Sequence, residues 1–255
     1  MIAKNTISEI RRRFEVLKPY VAFVKLGTES EAMSFEEMSL IRDIVLCPAI
    51  CKIGGPDAQN DIFTLFRMGI HSLVGPMIES AFAVEKFLAA TAKYDPESSF
   101  LELAINLESI CGLNNLDKIF AALTSRINRV NVGFSDLAAS MRSTVSSPDV
   151  IAGGQEIQKR CSSAGKLFTW GGTVTVQNIR MRLEAHRPDY FETRLFVFKT
   201  DNVWEKAEWV VEEALRIEGL IEAYTADAYR KRADLSEARE KSIRTRLPEE
   251  LRLAS

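Results

Sequence analysis

The sequence is short of several features that usually announce a function. It has two histidines, His71 and His186, and four cysteines, Cys47, Cys51, Cys111 and Cys161. No CxxC pair and no histidine at ligand spacing is present to complete a zinc site. The cysteines therefore read as small core residues of a chain kept in a reducing compartment. There is no Gly-x-Gly-x-x-Gly turn, no Gly-x-Ser-x-Gly elbow and no phosphate-binding P-loop. No apolar run reaches the roughly 18–20 residues that span a bilayer. The opening stretch MIAKNTISEIRRRF lacks the apolar core and cleavage site of a secretory leader, so a cytoplasmic location is expected. Charge of one sign is also lacking. The 33 Lys and Arg stand against 35 Asp and Glu, a formal net charge of −2, so neither nucleic acid nor a membrane is an expected partner.

What the 255 residues do have is alternation. Ile7, Ile10, Phe14 and Leu17 mark one face of an opening helix, with Asn5 or Thr6 as its cap and Pro19 as its stop. Seven strand-like runs follow: Tyr20–Leu26, Ala49–Ile53, Ser72–Val74, Leu101–Leu107, Arg129–Val132, Leu167–Trp170 and Tyr190–Phe198. Several are apolar almost throughout, as expected of strands covered on both faces. Helical periodicity fills the gaps, as in Phe35–Val45, Gln59–Met68, Ser80–Ala92, Leu113–Leu123, Pro148–Ala164 and Thr175–His186. Strand–helix alternation of this kind predicts a TIM-like (β/α) barrel over residues 1–202. Seven strands is one short of eight, and the chain opens on a helix, so the first strand is the one expected to be missing. Residues 203–255 read as a C-terminal helical extension ending in a highly charged stretch. That extension is expected to be a solvated terminal helix or, because it carries tryptophans, a contact in a homo-oligomer.

A barrel places its chemistry at the C-terminal ends of its strands. Those ends read KLGTE, KIGG, GPMIES, NLES, GFSD, WGGT and ETR. Glu108 and Asp136 end two successive strands, where a carboxylate pair can bind a hard cation such as Mg²⁺ and leave room for substrate. The other reading is that each caps the helix that follows. Asn106 shares a strand face with Glu108. Lys25 and Lys52 sit inside apolar runs, where a lysine needs a polar interior or a partner. Either could clamp a carboxylate or form a Schiff base. Arg194 is a second carboxylate clamp. Gly54, Gly55, Gly171 and Gly172 offer close backbone approach to a substrate. The two histidines fall at the opposite end of the barrel, which argues against a histidine base.

These strand ends resemble the HpcH/HpaI aldolase and citrate lyase β-subunit family. The resemblance runs from about Val21 to Phe198 and is strongest in INLESICGLNNLDKI and VNVGFSDLAASM. It implies that Glu108 and Asp136 hold Mg²⁺ or Mn²⁺, and that the reaction makes or breaks a carbon–carbon bond beside the enolate of a 2-oxo acid or acyl-CoA. More closely, KLGTE, KIGGPDA, GPMIES and FETR are similar to a less characterised branch of that family. Two departures stand out. Lys52 takes the strand where the family carries a carboxylate-binding arginine. The histidine-centred base of the aldolases is replaced by Gly27-Thr28-Glu29, so the base is absent, or is Glu29, or is a metal-bound hydroxide. Met77 also stands where citrate lyase-like members often carry a lysine. The resemblance thus implies a metal-dependent lyase or aldolase with Glu29, Lys52 and Arg194 as catalytic residues. Its alternatives are a Schiff-base aldolase and a non-catalytic barrel that kept the scaffold.

Overall fold

The computed structural model describes residues 2–28, 32–95, 102–228 and 233–246. Eight strands close into one barrel: β1 (Val21–Gly27), β2 (Ala49–Lys52), β3 (Ser72–Gly75), β4 (Glu102–Asn106), β5 (Ile127–Gly133), β6 (Leu167–Gly171), β7 (Tyr190–Glu192) and β8 (Phe196–Lys199). β1 to β7 run parallel, with helices as crossovers. β8 is antiparallel to both β7 and β1. The run expected as one last strand, Tyr190–Phe198, is therefore two. It turns at Thr193–Leu195, and its second half fills the place of the missing parallel strand. Closure matters physically, because an open barrel would leave two edges of unpaired backbone groups.

Strand parity explains the two cores. Val24, Leu26, Cys51, Leu73, Ile105, Val130 and Phe168 belong to the large core between strands and helices. Ile50, Val74, Ala104 and Val197 form a second cluster inside the barrel, with Phe23 and Tyr190 against it. Side chains two apart share a strand face. The inward face of each strand therefore changes character near its end: Phe23 gives way to Lys25, Ile50 to Lys52, Ala104 to Asn106 and Tyr190 to Glu192. An apolar plug fills the middle of the barrel and a polar layer sits above it. Below the plug, Arg129 is 1% exposed, lies between the Phe23 and Tyr190 rings and pairs with Glu102 at 3.2 Å.

The opening helix runs Ile2–Leu17, so Asn5 and Thr6 lie inside it and do not cap it. Pro19 falls in a 3-10 turn, Lys18–Tyr20, that ends it. The helix expected over Leu113–Leu123 is broken at Asn115 into Ile110–Asn114 and Leu116–Ala122. A short helix at Phe134–Ser140, absent from the periodicity reading, carries Asp136 in its first turn.

The C-terminal part is seated on the barrel. Helix Ala207–Ala228 buries Val210, Val211, Ala214, Leu215, Ile217 and Ile221. Arg13 of the opening helix pairs with its Glu213 at 3.0 Å. Trp204 stacks under Arg180, and Trp209 meets the Tyr20 ring edge-on. A last helix, Ala233–Arg244, returns along it. No helix among the described residues is long and apolar enough to cross a membrane.

Candidate active site

The polar layer opens into a cavity of about 160 Å³ at the C-terminal ends of the strands. Lys25, Lys52, Asn106, Glu108, Asp136, Gly172 and Arg194, all singled out from the sequence, line it together. Gly171 stands just behind: a Cβ there would come within 2.6 Å of Glu192 Oε1. Gly54 and Gly55 lie outside this cavity. Gly54 donates its N–H to Asp61 at 2.8 Å, and open space surrounds Gly55. Glu29 lies outside the described residues.

Glu108 is the most heavily supported residue of the site. It is 2% exposed, and its two oxygens receive three donors. Lys52 Nζ lies 3.3 Å and Asn106 Nδ2 3.0 Å from Oε2, and the Met77 N–H reaches Oε1 at 3.1 Å. Asn131 Nδ2 holds Asn106 in turn, at 3.0 Å, across paired positions of β4 and β5. Met77 donates from a left-handed backbone, φ +50°, a strained choice for a non-glycine residue. Glu108 does not cap the following helix, because Ser109 does that by accepting from the Gly112 N–H.

The site has room for a divalent cation. A carboxylate offers about four lone-pair directions, and three donors leave Glu108 one of them. Gly133 supplies the space, since a Cβ there would sit 2.6 Å from Glu108 Oε2. Asp136 is exposed and lines the same cavity. It stands in the first turn of its own helix, whose N-cap is Gly133. Two carboxylates with an amide nearby are hard oxygen donors of the type Mg²⁺ takes while keeping several waters. No cluster of three His, Cys, Asp or Glu that could hold a metal ion occurs among the described residues.

The far wall carries a second ion pair. Lys25 Nζ lies 2.8 Å from Glu192 Oε1. Both lysines singled out from the sequence are thus engaged as ammonium groups with carboxylates. Arg194, on the hairpin between β7 and β8, is held from behind by Glu222 at 3.1 Å. Burial pushes the Glu222 carboxyl upward, while Arg194 and Arg239 hold it down. Beside it Glu218, wholly buried, accepts from Thr193 Oγ1 at 2.5 Å and the Leu195 N–H at 2.7 Å, which fixes the turn. Burial raises its carboxyl as well.

Neither histidine takes part. His71 meets the Phe66 ring, and His186 meets Phe134 at 4.8 Å with the two rings tilted by 52°, outside the barrel wall. The residues that sequence reasoning missed are Asn131, Ser135, Thr173, Glu192 and Arg246. Glu192 had a signal, the unmet need of a buried Lys25 for a partner. Asn131 had one too, the inward parity it shares with Arg129. Arg246 had none, since it sits in a charged stretch that reads as solvent-facing.

Residues 52–176 match the family model described as HpcH/HpaI aldolase/citrate lyase. No curated protein is similar enough to match the chain. Among solved structures, an HpcH/HpaI aldolase from Desulfitobacterium hafniense DCB-2 is similar at TM-score 0.57 and 12% identity, covering 71% of this chain and 78% of that one. RipC from Yersinia pestis is similar at TM-score 0.51 and 21% identity, covering 64% and 77%. The citrate synthase SbnG gives TM-score 0.55 and 16% identity, covering 71% and 80%. At these identities the structures speak for the barrel alone. The stretch similar to the HpcH/HpaI aldolase/citrate lyase family contains both Glu108 and Asp136.

Proposed function

We propose that this protein is a divalent-metal-dependent carbon–carbon lyase or aldolase that acts on a small 2-oxo acid or acyl thioester. The observation that carries this reading is the support of Glu108. A buried carboxylate with three donors, a glycine in front of it and a second carboxylate lining the same cavity is an arrangement built to be kept, and it stands at the functional end of the barrel. Glu108 and Asp136 would hold Mg²⁺ or Mn²⁺. When bound, the cation supplies positive charge against the oxygen that becomes anionic as the carbon–carbon bond breaks.

The protein's own groups bind and orient. Lys52 Nζ sits beside Glu108 and presents an ammonium to the substrate carboxylate at the cavity floor. Asn106 and Asn131 fix the direction of Glu108. Arg194, its far side held by Glu222, offers a guanidinium to the other end of the cavity. Glu29, which follows Thr28 at the mouth end of β1, carries the proton to and from the substrate carbon. The volume of about 160 Å³ is smaller than the roughly 300–1,000 Å³ of sites for drug-sized ligands, which favours a reacting portion of only a few carbons.

Exchange of the methyl protons of pyruvate with deuterated water, followed by NMR, tests this without knowledge of a second substrate. Native protein with Mg²⁺ should exchange. Chelator should abolish exchange and added Mg²⁺ or Mn²⁺ restore it. Glu108→Gln and Asp136→Asn should each lower the rate at least about a hundredfold, the scale of losing one electrostatic stabiliser of a developing anion. Exchange that survives chelation and both substitutions would overturn the metal reading.

A further inference from the structure

The cavity is lined by three acids, Glu108, Asp136 and Glu192, and they are not held alike. Glu108 has both oxygens engaged, Oε2 by Lys52 and Asn106 and Oε1 by the Met77 N–H. Glu192 is engaged on one side alone. Lys25 Nζ lies 2.8 Å from its Oε1. Its Oε2 accepts from no group among the described residues and is not shut away from solvent, so it is the oxygen turned to the cavity. Two neighbours fix that orientation. Gly171, on the adjacent strand β6, lies so close that a Cβ there would come within 2.6 Å of Oε1 and 3.0 Å of Cδ. Lys25 is itself anchored, because its backbone N–H donates to the Leu195 carbonyl at 2.7 Å, in the turn that buried Glu218 holds.

A carboxylate with one oxygen tied to an ammonium and the other facing substrate space is placed to accept a proton. Rigid support on both sides is what a group in that role needs. The reaction has one proton still without an acceptor. Glu29 serves the substrate carbon, and Glu108 and Asp136 serve the cation. When a carbon–carbon bond breaks beside an enolate, the departing carbon carries a hydroxyl that becomes a carbonyl. That hydroxyl must give up its proton.

We propose that Glu192 is the catalytic base for that hydroxyl, with Lys25 as its positioning residue. Glu192 Oε2 takes the hydroxyl proton, and the electron pair of the O–H bond forms the new C=O bond. The carbon–carbon bond breaks, and its electron pair passes into the enolate of the 2-oxo acid. Glu29 then protonates the enolate carbon, and exchange with water resets both carboxyl groups. In the direction of synthesis Glu192 gives the proton back to the new hydroxyl. This deepens the function proposed above and rests on its enolate chemistry.

Two probes that pass through the same pyruvate enolate isolate this step. 4-Hydroxy-2-oxopentanoate must lose a hydroxyl proton to give pyruvate and acetaldehyde. Oxaloacetate loses carbon dioxide and has no such hydroxyl. Both reactions are followed as pyruvate formed in the presence of Mg²⁺, with the rate in the absence of protein subtracted. Native protein should act on both. Glu192→Gln should lower cleavage at least about a hundredfold, the lower end for general acid–base catalysis, and should lower decarboxylation at least about tenfold less than that. The ratio of the two rates therefore falls, which a loss of folding would not cause. Lys25→Met should lower the same ratio by a smaller factor. Formate added to Glu192→Ala should raise cleavage severalfold and leave decarboxylation as it was, because a free carboxylate can stand where the side chain stood. A ratio unchanged in Glu192→Gln, or formate acting on both reactions alike, would overturn the assignment. Native protein that decarboxylates oxaloacetate but does not cleave the hydroxy acid would overturn it too, and would leave the enolate reading standing. Native protein that does neither would overturn the two together.

Discussion

The two walls of the cavity are made in opposite ways. The wall of β4 and β5 is built from side chains close in sequence: Asn106, Glu108, Asn131, Gly133 and Asp136 span 31 residues, and most contacts run between neighbouring strands. The facing wall joins Lys25 to Glu192, and Arg194 to Glu222, Arg239 and Arg246. It needs the first strand, the last hairpin and the last two helices at once. The first wall can be seen in a run of sequence, whereas the second exists only after the chain has closed.

The two ion pairs give the sharpest test of that contrast. Glu108 has 1% of its side chain exposed, and Glu192 has 15%. Lys52→Ala leaves Glu108 charged and buried without its counter-ion, a change that costs about 3–5 kcal/mol in comparable pairs. Lys25→Ala leaves Glu192 closer to water and should cost less than half as much, since solvent screens the remaining charge. Chemical denaturation of both variants measures the difference. A divalent cation near Glu108 would replace part of the lost charge, so millimolar Mg²⁺ should raise the melting temperature of Lys52→Ala more than that of Lys25→Ala or native protein. Equal Mg²⁺ responses in all three would count against a cation site at Glu108.

A smaller effect comes from the glycines in front of each acid. Gly133→Ala pushes a methyl group to 2.6 Å from Glu108 Oε2, and Gly171→Ala does the same to Glu192 Oε1. Overpacking of this kind costs about 1–3 kcal/mol. The two should separate in function despite similar stability. Gly133→Ala should reduce Mg²⁺ affinity at least about tenfold, because Glu108 is pinned by three donors and cannot move without losing one. Gly171→Ala should leave Mg²⁺ affinity nearly unchanged. Calorimetric titration with Mg²⁺ reads this directly, and the opposite ranking would show that the metal-binding wall has been misassigned.

How far the sequence could be read follows the same division. The barrel was legible because β1 to β7 repeat one pattern, an apolar run followed by turn residues and a helical period. The hairpin to β8 was not, because Thr193-Arg194-Leu195 has no Gly, Pro or Asn to mark a reversal, and buried Glu218 holds that turn from another helix. That Glu108 and Asp136 line the cavity was legible from their places just after two strand ends. What Glu108 touches was not, since the Met77 N–H that supports it depends on a left-handed residue no propensity would place there. Gly54 and Gly55 were read as a substrate loop because glycines at a strand end suggest close approach. In the folded chain that loop turns aside to Asp61. Arg246 was hidden because charge runs ordinarily face water, and the Arg239 bridge to Glu37 and Glu222 together with buried Ile243 turns this one inward.

The smallest effect concerns the outer support of the first wall. His186 is 1% exposed, and its ring packs at a tilt against Phe134, the first residue of the helix that bears Asp136. Burial, with the positive charge of Arg182 adding to it, holds the imidazole down to about 4 from an ordinary 6.5. The unfolded chain therefore takes up a proton near pH 6.5, while the folded protein refuses it until about pH 4. The stability from keeping this ring neutral is fully present above pH 6.5 and is lost as pH falls through about 4, with a slope of at most about 1.4 kcal/mol per pH unit. His186→Phe keeps a ring against Phe134 and removes the proton. Urea melts between pH 7 and 4 should show a shallower acid decline for His186→Phe than for native protein, whatever the two stabilities are at pH 7.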